Sequence, residues 1–376
     1  MASPHAPAPI PRRQSKVAAM IRSILVYSVE ELSGDGLIKL PFAAGLRAAF
    51  PEARISWCAA SGKSVYSSWL KPVVFRFIDE LLLGEPLGDR MLDVFNPRPP
   101  FGGRTFDLVI DTQTNVRRSL VVRRAGRTFI SAAAGFALSA RRPTSPWPES
   151  MAGQLDGLLK LAAGPQANAA RPTLSTPEAA AAARTLLPPG ETYVGFAPGS
   201  GGLERRWPLD RFVQLAALQH ERGRRPVFIL GPAERDYVEP LRAQAPYALL
   251  PLEGEAAERA PVKGPLLTIA MAGWLAAAVA ADAGPGHMLA AGGAPLVSLF
   301  RERRKERKFR PDGATVSPLV AEDFGDTAID AIPASEVDRA LEGLLGRPDA
   351  PPASPGPIAS ATAGRRRGRG SGPTDR

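Results

Sequence analysis

The sequence predicts an α/β protein made of two successive halves, each a parallel sheet with its own helices. Three observations lead there. Short apolar runs alternate with amphipathic stretches, the pattern of parallel βαβ units. The series is interrupted over 144–189, where prolines are frequent, and then begins again. At 376 residues the chain has room for two cores of ordinary size.

The first half opens with a strand over 23–29, then a glycine-containing loop and a helix over 37–50. A second strand is expected over 54–59, and further apolar runs over 77–83 and 108–111 each stop at a polar loop. The interrupted stretch carries an alanine-rich helix over 178–187 and reads as the connection between halves. The second series runs from a strand over 193–197 to a helix over 208–222. Pro208 suits the first turn of that helix because its missing N–H has no intrahelical partner there. A strand over 226–230, a helix over 234–245 and apolar runs over 249–252, 277–281 and 295–300 follow. The domains expected are 21–165 and 191–346, joined by 166–190. Residues 1–20 form a disordered lead and 347–376 a disordered basic tail, since neither has enough large apolar groups to offset the entropy of ordering. Two α/β halves in sequence place the binding site in the cleft between them, at the carboxyl ends of the strands.

The formal net charge of +10 is unevenly placed. Arg12, Arg13, Lys16 and Arg22 stand in the first 22 residues without an acid, and the last twelve carry five arginines against Asp375. Eight of the ten charges therefore belong to the ends and about +2 to the body, so the basic balance does not point to nucleic acid. Cys58 is the one cysteine, which excludes an internal disulfide and a cysteine-built metal site. With only His5, His220 and His287, a histidine-rich metal centre is not expected either. No signal core and no membrane-long apolar run is visible, and the expectation is a cytoplasmic protein.

Three loops after strands have the composition of ligand loops. Leu32-Ser33-Gly34-Asp35-Gly36 presents a carboxylate between glycines; it reads either as a reactive carboxylate or as a helix cap. Ala197-Pro198-Gly199-Ser200-Gly201-Gly202, continuing to Glu204-Arg205-Arg206-Trp207-Pro208, offers free N–H groups and two guanidiniums ahead of a helix, which suits a diphosphate. Asp282-Ala283-Gly284-Pro285-Gly286-His287 again puts a carboxylate and a glycine-rich turn at a helix start. None is a Walker loop or a dinucleotide fingerprint. A basic run from Arg301 to Lys308 reads either as a solvated helix face or as a contact for an anionic partner, and its excess of cations favours the partner.

These blocks, in this order, resemble the ADP-heptose:lipopolysaccharide heptosyltransferase family, glycosyltransferase family 9. The resemblance rests on Ser33-Gly34-Asp35-Gly36 with Leu40-Pro41, on Pro198-Gly199-Ser200 through Trp207-Pro208, on Gly231-Pro232-Ala233-Glu234, on Asp282 through His287, and loosely on Phe309-Arg310-Pro311-Asp312-Gly313. It implies a GT-B fold, with two Rossmann-like α/β/α domains facing across a cleft, and a metal-independent inverting glycosyl transfer needing no cofactor. Asp35 is then the general base; Gly199, Ser200, Gly201, Arg205 and Arg206 hold the donor diphosphate. Asp282 binds the donor sugar, with Ala283, Gly284 and His287 shaping its pocket and Glu234 on the nucleotide side. The partners implied are a nucleotide-sugar donor, ADP-heptose foremost, and a lipid-linked glycan acceptor at the inner face of the cytoplasmic membrane, with contact to its anionic surface.

Departures from the family pattern are the acidic stretch Glu30-Glu31, Tyr27-Ser28 where a basic residue is common, Ala283 where a hydroxyl is frequent, and the basic run in place of a Gly-Pro-Thr-like turn. They leave a second reading open: a nucleotide-sugar-binding protein of the same fold that has lost turnover, or a transferase using another donor.

Overall fold

A computed structural model of the chain describes residues 21–346 apart from 86, 89, 90 and 314. The disorder expected of 1–20 and 347–376 falls outside the described residues.

In the N-terminal half, β1 (Ser23–Ser28) leads into α1 (Ser33–Ala49), followed by β2 (Arg54–Ala59), the one-turn α2 (Lys71–Val74) and β3 (Glu80–Leu83). Then come β4 (Phe106–Asp111), α3 (Val116–Val122), β5 (Gly126–Ser131) and α4 (Met151–Ala163). The C-terminal half opens with α5 (Pro177–Leu186), β6 (Tyr193–Ala197), α6 (Leu209–Glu221), β7 (Arg225–Phe228), α7 (Val238–Gln244), α8 (Glu255–Arg259) and α9 (Pro265–Ala272). It closes with β8 (Leu275–Ala281), α10 (Gly284–Ala291), β9 (Leu296–Phe300), α11 (Arg303–Phe309), β10 (Val316–Val320) and α12 (Ala334–Leu345).

The strands form two five-stranded sheets in the orders β3-β2-β1-β4-β5 and β10-β9-β8-β6-β7, with every pairing parallel. A parallel sheet must be covered on both faces, and the central strands are apolar on both. Ile24 and Val26 of β1 pack in the cluster that holds α1 and α4, whereas Leu25 and Tyr27 face the opposite cluster with Phe106, Val109 and Phe129. In β6, Tyr193 and Ala197 join α5 and α9, while Val194 and Phe196 join α6 and α12. Each of the fully buried Val, Leu, Ile and Phe side chains contributes about 1.5–3 kcal/mol.

The two halves meet along α1. Its apolar positions cover the first sheet, and the same cluster includes Ile269 of α9 and Met288 of α10 from the other half. Pro41, inside α1, carries no N–H, and its carbonyl receives the amide of Ala170 at 2.9 Å.

Several local expectations shift. α1 starts at Ser33 rather than 37, so Gly34, Asp35 and Gly36 form its first turn instead of a loop. Two glycines conceal a helix start in sequence, because they are poor helix formers that tertiary packing overrides here. The cap position is Leu32 and makes no side-chain cap bond, so Asp35 is not the cap. The run expected over 77–83 yields only β3, because Ile78 turns back to the Val74 carbonyl at 3.0 Å. The run over 249–252 is a single bridge, Leu249 to Val227, followed by a turn. α5, inside the stretch expected to connect the halves, packs Ala179, Ala182 and Ala183 into the C-terminal core. β10 contains Pro318, which weakens its strand signal; as an edge strand it tolerates a residue that cannot donate to the ladder. Among the described residues no helix is long and apolar enough to cross a membrane.

Candidate active site

In an open α/β sheet, a ligand crevice forms where neighbouring strands send their loops to opposite sides. The strand orders put that point between β1 and β4 in the first sheet and between β6 and β8 in the second. The three loops singled out in sequence follow β1, β6 and β8. They open into one cleft of about 700 Å³ between the halves.

Ser33, Gly34 and Asp35 line it from α1. Gly199, Ser200, Gly201, Glu204 and Arg205 line it from the loop after β6, with Glu234 behind them. Asp282, Ala283, Gly284 and His287 come from the start of α10, and Arg301, Glu302, Lys305 and Phe309 from α11 and the segment before it. Neither α1 nor α10 has a side-chain cap at its amino end, so the first-turn N–H groups of both helices keep their positive end toward the cleft.

Contact between the halves is close enough to favour glycine. A Cβ on Gly34 would stand 2.9 Å from His287 Cδ2, and one on Gly284 would stand 3.1 Å from Ser33 Cβ. Gly199 has a different neighbour: its missing side chain makes room for the Glu234 carboxyl, 2.7 Å from where a Cβ would be. Glu234 in turn accepts from the Gly231 amide at 3.0 Å and pairs with Arg206 at 3.7 Å.

Arg206, expected to face the diphosphate, is held behind the loop. Its guanidinium donates to the Ser200 carbonyl and to the Tyr237 hydroxyl, lies over the Tyr237 ring and does not line the cleft. Of two adjacent arginines, only Arg205 faces inward. Ser200 is 5% exposed, and its buried hydroxyl has no hydrogen-bond partner among the described residues. An unpartnered buried hydroxyl costs about 1–3 kcal/mol.

Burial raises the Asp35 carboxyl above the usual range, opposed by Lys39 and Lys308 and reinforced by Glu30 and Glu31. A carboxylate with raised basicity takes a proton more readily at neutral pH. Asp282 is pushed up to about 6 by burial, with Arg205 and Lys305 pulling the other way. His287 is lowered to about 4 by burial and is a neutral imidazole in the working range.

Since Asp282 is ionised above about pH 6 and protonated below it, a ligand whose hydroxyls donate to this carboxylate is expected to bind progressively more weakly as pH falls from 7 to 5. An Asp282→Asn variant should bind weakly and without that slope. Nucleotide-sugar titrations at several pH values check this, and an unchanged slope in the variant counts against the role.

Lys39 and Lys305 were not singled out in sequence. Lys305 belongs to the basic run, so a signal existed. Lys39 did not stand out because one lysine on an otherwise apolar helix reads as a surface residue. It is instead 3% exposed, and its ammonium donates to Ser28 Oγ at 2.8 Å, the Glu30 carbonyl at 2.8 Å and Glu31 Oε1 at 3.2 Å. Thus the cation missing at Tyr27-Ser28 reaches Ser28 from α1. Glu31, part of the acidic departure, is structural: it also accepts from Trp57 Nε1 at 3.1 Å and Ser64 Oγ at 2.6 Å.

The model of glycosyltransferase family 9 (heptosyltransferase) matches residues 100–318. The chain belongs to this family. As a family 9 member it is a glycosyltransferase of the heptosyltransferase type, and its two parallel-sheet domains with a cleft between them are the GT-B fold. Solved structures agree on the fold. A glycosyl transferase family 9 protein from Veillonella parvula matches at 19% identity and TM-score 0.59, covering 86% of this chain and 97% of its own. ADP-heptose lps heptosyltransferase II of E. coli matches at 17% and TM-score 0.56, covering 86% and 98%. E. coli heptosyltransferase WaaC with ADP matches at 17% and TM-score 0.57, covering 86% and 99%. No curated protein matches the sequence.

Proposed function

We propose that this family 9 transferase moves a sugar, with inversion and without a metal ion, from a nucleotide diphosphate donor to a lipid-linked glycan at the inner face of the cytoplasmic membrane. The observation that carries the proposal is one cleft holding a carboxylate of raised basicity, Asp35, together with the cations Arg205 and Lys305, whose charges act on Asp282. Asp35 takes the acceptor hydroxyl proton as that oxygen bonds to the anomeric carbon. The bond from that carbon to the diphosphate oxygen breaks, and the diphosphate leaves against Arg205, Lys305 and the Gly199–Gly201 backbone. Asp282 accepts from donor-sugar hydroxyls, with Ala283, Gly284 and the neutral His287 as walls. Glu234 stands on the nucleotide side, and Arg206 braces the loop. ADP-heptose is the leading donor, supported by family membership and by the fold shared with a heptosyltransferase solved with ADP.

Arg205→Ala is expected to lower kcat by roughly 10²–10³, the effect of removing one preorganised stabiliser of developing charge. It should also weaken ADP. Both are read by sugar-transfer assay and by ligand-induced thermal stabilisation, which at about 100 times Kd reaches about 2.7 kcal/mol. Absence of any stabilisation of the unaltered protein by ADP, uridine diphosphate or their sugars would remove the donor reading.

A further inference from the structure

α11 has a second face that the donor reading does not use. Its inner side is neutralised: the buried Glu306, 1% exposed, is held by Arg310 and by Arg303 at 3.4 Å, and Arg303 also pairs with Asp323. The Arg303 amide donates to Glu322 Oε2 at 2.7 Å, so the helix is anchored at its start. With its inner charges matched, α11 turns Arg304, Arg307 and Lys308 to the exterior. These three and Arg303 line a groove of about 420 Å³, closed on the far side by Glu149, which precedes α4 in the N-terminal half. Arg307 pairs with Glu149 at 3.4 Å across exposed side chains, and Arg304 and Lys308 form no ion pair among the described residues. Setting aside the matched Arg303, three cations face one carboxylate, an excess of two. A phosphate monoester carries about −1.5 to −2 at neutral pH.

The groove and the reaction cleft have no lining residue in common, but α11 lines both. Lys305, on the same helix, lines the cleft, and the Lys308 charge is felt at Asp35. Glu149, at the edge of the groove, belongs to the half that supplies Asp35, whereas the loop that would hold the donor diphosphate follows β6 in the other half.

We propose that this groove is an acceptor subsite taking a phosphate monoester on the acceptor glycan, near the hydroxyl that Asp35 deprotonates. It rests on the reading of Asp35 as the base and of the β6 loop as the donor site. A phosphate bound there is positioned by Arg304, Arg307 and Lys308, which would restrict the enzyme to phosphorylated acceptors.

The test uses the full chain with glucose 6-phosphate as probe, titrated with and without ADP and followed by phosphorus NMR. The unaltered protein should bind glucose 6-phosphate even when ADP is saturating. Arg304→Gln with Arg307→Gln should weaken that binding about tenfold or more, as expected for losing charge-assisted hydrogen bonds, and leave ADP affinity as it was. Arg205→Ala should weaken ADP and leave glucose 6-phosphate unchanged. Equal glucose 6-phosphate binding with and without the arginine pair overturns the proposal, as does a loss that follows Arg205→Ala. Phosphatidylglycerol vesicles form a separate arm. If they bind through Arg304 and Arg307 while glucose 6-phosphate does not, the groove is a membrane contact and the acceptor subsite is wrong. If ADP fails to bind while the sugar phosphate binds through the arginine pair, the donor reading fails and the anion site stands.

Discussion

Asp35→Asn is expected to lower kcat by about 10²–10⁴ while leaving donor affinity within a few-fold of its normal value, the range general base catalysis contributes. The substitution keeps the size of the side chain and removes the only group in the first turn of α1 that can take a proton. Its position makes the prediction sharp. Asp35 lines the cleft from α1, in the half opposite to Arg205 and Asp282, so a substitution that keeps the size of the side chain should spare their contacts with the donor. Glycosyl transfer from ADP-heptose, followed by ADP release, and donor titration by thermal stabilisation are the two measurements. Retained turnover with full donor binding would transfer the base role elsewhere. Lost donor binding would instead point to a structural role for the α1 start. The raised proton affinity of Asp35 adds a pH signature: because the carboxylate form acts, the rate should fall on the acid side at a higher pH than an ordinary aspartate would give.

Lys39→Met is expected to destabilise the chain by about 3–5 kcal/mol, the usual result of removing one member of a buried ion pair. Lys39 and Glu31 meet at 3.2 Å with side chains 4% and 0% exposed. Methionine fills the volume but leaves Glu31 charged and buried, with only the Trp57 and Ser64 donors remaining. Denaturant unfolding followed by tryptophan fluorescence reads the loss, and adding Glu31→Gln should restore a substantial part of it through the coupling of contacting residues. A loss below about 1 kcal/mol would mean that the pair is open to water. The network also joins stability to the site, since Lys39 lies one helical turn beyond Asp35 and opposes the effect of burial on its proton affinity.

Much of the fold was legible because strand and helix signals are local. The runs that became β1, β2, β6, β8 and β9 are short and predominantly apolar, which reads directly as buried parallel strand. Among the signals that failed were diluted ones: Pro318 in the edge strand β10, the polar first half of the edge strand β5 and the glycines at the start of α1. The site was legible as three loops, since glycine next to carboxylate or guanidinium is conspicuous in any context. Their roles were less so. Arg205 and Arg206 are neighbours of the same type, and only packing against Tyr237 and Glu234 turns the second away. Likewise Glu30-Glu31 reads as an acidic departure, until the fold shows that Glu31 is bound by Lys39, Trp57 and Ser64.

By itself, then, the sequence determined the two α/β halves, because hydrophobic period acts over a few residues, and it carried the family's motif blocks and three glycine-rich loops that line one cleft. Strand order, the meeting of α1 and α10 across the cleft, the inward turn of Arg205 and the cationic outer face of α11 were decided by the tertiary structure. Those features depend on contacts between residues far apart in sequence, as when Gly34 lies against His287, and no local pattern encodes them.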